Sequence, residues 1–172
     1  TGKVHYCKME TKKLLILTQA VDKKDSVLGF FHAWISEFSK NYEKVTVICL
    51  NKGEYDFPLN VEVLSLGKEV GVSKIKYLAK FYSYIFFHRK NYNEVFVHMN
   101  PIYVILGGLF WKIMGKKVSL WYTHKCVDWK LIIAERIADV IFTASKESFR
   151  LKSKKVHIMG HGIDMEKFSH SY

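Results

Sequence analysis

Apolar positions along the chain come in two alternating kinds of run. Short runs that are continuously apolar or rich in β-branched residues fit strands buried on both faces. They recur at Leu14–Leu17, Val45–Leu50, Val61–Leu66, Val95–His98, Lys117–Tyr122, Val140–Thr143 and Val156–Met159. Between them lie stretches with apolar residues at helical spacing. Gly29–Lys40 carries Phe30, Trp34 and Phe38 on one face. Residues 72–91 form the longest helical pattern, with Ile75, Leu78, Tyr82, Ile85 and Phe86 as its expected core stripe. Pro101–Met114 reads as a mostly apolar helix, opened by a proline in its first turn and stopped by Gly115. Asp128–Ala138 is a further helix, and Ser145 is placed to cap a short one. A polar loop runs from Gln19 to about Leu28, and Asn51–Pro58 is a turn-rich connection.

Strands that alternate with helices predict an α/β fold: a Rossmann-like, doubly wound, mostly parallel sheet of about seven strands with helices on both faces. One domain is expected over residues 12–168, with 1–11 as an N-terminal extension and 169–172 as a tail. The last strand runs into Gly160-His161-Gly162-Ile163-Asp164, turn chemistry that bends the chain toward whatever follows. In such sheets ligands bind outside the carboxyl ends of the strands. The segments expected to matter are therefore Thr18–Gly29, His98–Pro101, Thr123–Asp128 and Ala144–Lys146.

Those segments exclude some chemistry and admit other kinds. No GxGxxG follows the first strand and no Walker sequence occurs, which argues against a dinucleotide oxidoreductase and an NTPase. Gly29 at the first helix would let a ligand approach free N–H groups that favour phosphate; it also reads as a simple helix-start glycine. His124, at the mouth of the crevice, suits proton acceptance or a hydrogen bond to a sugar hydroxyl, against a structural histidine beside aromatics. Trp121 and Tyr122 offer flat surfaces on which sugar rings stack. His98, with Asn100 two residues on, is a second candidate that also reads as structural. Asp128 reads equally as a site carboxylate, a helix cap or a solvated charge.

Charge and cysteine content narrow the picture. There are 27 Lys and Arg against 16 Asp and Glu, a net charge of +11. This favours anionic partners such as nucleotides, lipid head groups or nucleic acid, or else describes a solvated lysine surface. Cys7, Cys49 and Cys126 are scattered, without metal-ligand spacing, which predicts no metal and a reduced, cytoplasmic protein. The first residues are polar and basic with no apolar run behind them, so no signal peptide is expected. The longest apolar stretch, Pro101–Trp111, is too short to span a bilayer.

Three places together resemble a known family. They are the glycine-opened helix at Leu28-Gly29-Phe30, the strand Lys117–Thr123 leading to His124, and Ala138–Ser145 followed by Val156–Asp164 and Phe168. Their order and spacing resemble the N-terminal domain of the family 4 glycosyltransferases, retaining enzymes with the GT-B fold. The likeness covers residues 12–168. It implies an acceptor-side domain facing a donor-binding domain that is not in this chain, and transfer from a nucleotide-sugar co-substrate without metal or other cofactor. It implies that Gly29 lies beside the donor phosphates and that His124 lies at the reacting centre. Many relatives have two glycines where this chain has Leu28-Gly29. His98, Asn100, Trp121, Tyr122, Lys125 and Asp128 fall on the acceptor side, and Gly160, Gly162 and Asp164 at the interdomain hinge. The fragment alone is expected to be inactive. A basic Rossmann-like module for nucleic acid or another anionic ligand is the alternative, although no nucleic-acid motif is present.

The long helix carries one more expectation. Tyr77, Phe81 and Tyr84 form a second aromatic set, interleaved with Lys74, Lys76 and Lys80. That face suits peripheral attachment to anionic lipid, and so a lipid-linked acceptor; the same aromatics also suit packing on a neighbouring helix.

Overall fold

The computed structural model describes residues 12–160. Seven strands form one sheet: β1 (Lys13–Val21), β2 (Lys44–Lys52), β3 (Val61–Ser65), β4 (Glu94–His98), β5 (Lys117–Trp121), β6 (Val140–Thr143) and β7 (Val156–Ile158). Their order is β3-β2-β1-β4-β5-β6-β7, and every pairing is parallel. The helices are α1 (Phe30–Asn41), α2 (Lys74–Phe87), α3 (Pro101–Ile113) and α4 (Trp129–Ile137). This is the expected Rossmann-like α/β fold.

Period-two alternation divides the sheet's apolar residues between two cores. Leu15, Leu17, Val97 and Leu120 pack with Phe81 and Ile85 of α2, Trp111 of α3 and Leu131 of α4. Leu14, Ile16, Val47 and Phe96 point the other way, onto Phe31 and Ile35 of α1. Three helices thus cover one face and one helix covers the other, among the described residues.

Several local expectations are corrected. β1 continues through the segment read as the start of a polar loop. Ala20 and Val21 are buried and pair with Asn51 and Lys52, so the alternation simply runs on. No helix follows Ser145: its hydroxyl accepts the Ser148 N–H at 3.3 Å and closes a turn instead. On α1, Phe31 and Ile35 make the buried face, while Phe30 is half exposed.

The two faces of α2 are exchanged relative to the sequence reading. Phe81 is 1% exposed, and Tyr77 and Tyr84 pack against the core, so of the two readings of this aromatic set the packing one holds and the lipid-facing one does not. The expected core residues Ile75, Leu78, Tyr82 and Phe86 are exposed; of that set only Ile85 is buried. The Tyr84 hydroxyl donates to the Ser65 carbonyl at 3.2 Å, which ties the inner face to the end of β3.

Candidate functional site

The chain reverses its direction of winding between β1 and β4, which are neighbours in the sheet. The helix after β1 packs on one face and the helix after β4 on the other. A crevice between their carboxyl ends follows from that topology.

His98 ends β4 at the carboxyl edge of the sheet, beside β1. It is 1% exposed, and its ring stacks on Phe31 at a centroid distance of 3.9 Å. Its Nδ1 lies 3.3 Å from the Thr18 hydroxyl on the neighbouring strand. Its Nε2 is buried without a hydrogen-bond partner. Burial pushes its pKa down from 6.5 to about 4, because an imidazolium here would lose its hydration with no anion to replace it. His98 is therefore neutral at physiological pH.

The next residue carries the one positive φ among the described non-glycine residues, Met99 at +61°. The Asn100 N–H donates to the His98 carbonyl at 2.8 Å, closing a γ-turn centred on Met99. A γ-turn of this hand is rare and strained. Two contacts from β5 and the loop after it hold it: the Met99 N–H donates to the Trp121 carbonyl at 2.8 Å, and the Thr123 hydroxyl reaches the Met99 sulfur at 3.1 Å. No signal in the sequence marks Met99, because a methionine carries no preference for positive φ.

Past β5, His124 is exposed, as expected. Its Nδ1 accepts the Cys126 N–H at 3.1 Å. In the neutral ring that leaves the proton on Nε2. Nε2 is thus the ring atom open to a ligand. Lys125 is exposed beside it.

The other expected site residues have structural duties. Asn100 Oδ1 accepts the Ile102 N–H at 3.3 Å and caps α3. Asp128 Oδ1 accepts the Leu131 N–H at 2.9 Å and caps α4. Trp121 and Tyr122 are each 7% exposed, too buried to stack on a sugar. Being adjacent on a strand, they enter opposite cores: Trp121 meets Trp34 edge-on at 4.8 Å, and Tyr122 meets Phe149 at 6.1 Å. The Tyr122 hydroxyl donates to the Cys126 carbonyl at 2.9 Å, and burial raises its pKa.

Gly29 also has a local explanation. Its N–H donates to the Asp25 carbonyl at 3.0 Å, and an added Cβ would lie 2.5 Å from that same oxygen. Asp25 in turn accepts the Val27 and Leu28 N–H groups at 2.8 and 2.7 Å. The loop is bonded to itself, and the Gly29 N–H is already used, so the helix-start reading is the one supported. Gly160 has φ of +77°, which suits the turn expected there. Gly162 and Asp164 lie outside the described residues, as do His161 and Phe168.

A cavity of about 460 Å³ lies elsewhere. It is an apolar groove on the sheet face beside α1, lined by Trp34, Phe38, Phe96, Trp121 and Phe142. Tyr42, Glu94, Lys117, Ser119 and Asp139 also line it; the Tyr42 hydroxyl donates to Glu94 at 2.7 Å, and Asp139 accepts the Val118 N–H at 2.8 Å. Among the described residues no group of three or more His, Cys, Asp or Glu side chains gathers as a metal site, and no helix is long and apolar enough to cross a membrane. Cys49 is buried and Cys126 exposed, both free thiols.

No protein-family model matches this chain, and no curated protein matches it. Its fold is found in solved structures. The Anabaena protein HepE, crystallised with UDP and glucose, aligns with 90% of this chain at 15% identity and a TM-score of 0.59. Acinetobacter baumannii MurG aligns with 88% at 12% identity and a TM-score of 0.57. The lipopolysaccharide outer core galactosyltransferase WaaB aligns with 88% at 11% identity, also at 0.57. The chain spans 46% of each of those three, so it corresponds to less than half of their length. What is shared is the fold, which agrees with a GT-B architecture.

Proposed function

We propose that this chain is the acceptor-side half of a retaining glycosyltransferase of the family 4 type, which moves a sugar from a nucleotide-sugar to an acceptor hydroxyl. One observation carries the reading. The strained γ-turn at Met99 and the buried neutral His98 lie at the switch point of a doubly wound sheet, and the exposed His124 follows the next strand. Strain and a perturbed histidine at the place where such sheets bind ligands are the marks of a site. The fold likeness to a galactosyltransferase and to a protein crystallised with UDP-glucose supports the same class.

In this reading His124 donates from Nε2 to an oxygen of the transferred sugar and orients it. The backbone of residues 98–100 forms one wall of the acceptor cleft, and Lys125 flanks its mouth. The nucleotide is held chiefly by a second domain across the cleft, after the hinge at Gly160. The transfer is written without a metal, and Gly29 shapes the loop beside the cleft rather than binding phosphate.

The test is glycosyl transfer by the full-length protein against a panel of nucleotide-sugars, with the product's anomeric configuration read by NMR. His124→Ala should lower kcat at least about 100-fold, the scale for one positioned hydrogen-bond donor, with folding unchanged. Turnover by residues 1–172 alone would overturn the two-domain reading. Inversion at the anomeric carbon would overturn the retaining one.

A further inference from the structure

The α2–α3 pair presents a surface that the crevice chemistry does not use. From Val70 to Val127 the chain has nine Lys and Arg residues and a single acid, Glu94. That carboxylate is engaged by the Tyr42 hydroxyl at 2.7 Å. Within this basic span, α2 turns outward the apolar stripe that its sequence suggested for the core. The Tyr82 hydroxyl donates to the Leu106 carbonyl at 3.1 Å, and the Phe86 and Phe110 rings meet edge-on at 6.2 Å. These contacts join the outer faces of the two helices into one patch. Ile75 is 82% exposed, Phe87 74%, Leu109 72% and Ile113 77%. Large aliphatic and aromatic side chains at such exposure exceed the scattered apolar residues of an ordinary surface.

We propose that this face docks on an anionic lipid bilayer. α2, about 21 Å long at 1.5 Å per residue, lies along the interface. Ile75, Phe86, Phe87, Leu109 and Ile113 enter the acyl boundary, and Lys74, Lys76, Lys90 and Lys112 meet lipid phosphates. No ion pair among the described residues engages those four lysines. The charge pattern selects lipid over the other occupants. Protein interfaces are depleted in lysine. A two-fold dimer through this face would bring the same lysines together. A nucleic-acid surface would centre on stacking aromatics and basic groups, not on Ile75, Leu109 and Ile113. The chain enters α2 from the carboxyl end of β3, so Lys74 and Ile75 lie at the crevice edge of the sheet. Docking therefore sets the crevice mouth beside the head groups, within reach of a lipid-borne acceptor. The docking stands apart from the proposed transfer reaction and can fail without it.

Flotation of the full chain tests it, with vesicles of phosphatidylglycerol mixed with phosphatidylcholine against phosphatidylcholine alone. The protein should float with the first and not with the second. The combined change Lys74→Glu, Lys76→Glu and Lys112→Glu should lower partitioning at least about tenfold, since one basic group near an anionic surface is worth about fivefold. The combined change Ile75→Ser, Phe87→Ser and Leu109→Ser should do the same, with unchanged circular dichroism and melting. All three side chains are exposed, so the fold survives their loss. Full binding by the serine variant would reduce the effect to general adsorption of a +11 protein and overturn the proposal. Dimerisation abolished by the serine variant in sedimentation would also overturn it. So would RNA or DNA retention that requires the same apolar residues.

Discussion

The neutrality of His98 makes a measurable demand on stability. Its native pKa of about 4 lies below the ordinary 6.5 because burial disfavours the imidazolium. Between those values the unfolded chain binds a proton at this position and the native chain does not. Stability from this group is therefore complete above pH 6.5 and is lost as pH falls toward 4. The gap corresponds to about 3 kcal/mol in full, of which about 2 kcal/mol is lost by about pH 5. Replacing His98 by Phe keeps a ring to stack on Phe31 and removes the titration. Urea unfolding of both proteins across a pH series isolates the term, because every other titrating group is common to the two. The wild type should lose about 2 kcal/mol more than His98→Phe between neutral pH and about pH 5. Parallel profiles would refute the reasoning: they would mean that His98 accepts a proton in the native state, and so is hydrated or paired.

Three further outcomes follow from the local geometry. Asp128→Ala removes the side-chain cap of α4 and should cost about 1 kcal/mol in chemical denaturation without changing the fold. Lys155 donates to the carbonyls of Glu135 at 2.7 Å and Ala138 at 2.9 Å, closing the carboxyl end of the same helix. Lys155→Met should cost about 2 kcal/mol, seen as a lower melting temperature, because those carbonyls lose a charged donor. Gly29→Ala drives a methyl against the Asp25 carbonyl and should cost about 1–3 kcal/mol, with amide shifts confined by NMR to residues 22–32.

Element types were legible because continuous apolar runs and helical spacing are separate signals, and both are strong here. Which face of a helix is buried was less so. In α2 two sets of apolar residues each recur at helical spacing, and periodicity cannot rank them. Packing decided it: the set holding Phe81 faces the sheet, and the Tyr84 hydroxyl finds the Ser65 carbonyl only from that side. Trp121 and Tyr122 show a related limit. At the end of a parallel strand both side directions are covered, so aromatic residues there are core as often as platform. Asn100 and Asp128 carried cap chemistry that their positions one residue before a helix already offered. Met99 was not legible at all, because its conformation is imposed by contacts from β5 and the loop after it.

Those contacts explain how the crevice wall can stay strained. A γ-turn of this kind costs about 1–3 kcal/mol and persists only where its surroundings over-determine it. Here the support begins in the helix layer packed on the sheet. Trp34 of α1 meets Trp121 edge-on at 4.8 Å and fixes the end of β5 against the sheet. The Trp121 carbonyl then takes the Met99 N–H, and Thr123 bonds the Met99 sulfur. On the far side of the turn Asn100 caps α3, so the chain cannot relax by unwinding the helix. Trp121 thus acts at the crevice through its backbone, from a buried side chain, rather than as a surface under a sugar. His124 and Lys125 are exposed just past this framework, with Cys126 and Val127 beside them. Within the proposed transfer reaction, this strained wall and the exposed His124 suit the orientation of a hydroxyl-bearing ligand, while His98, the one buried imidazole among the described residues, stays a neutral ring stacked on Phe31.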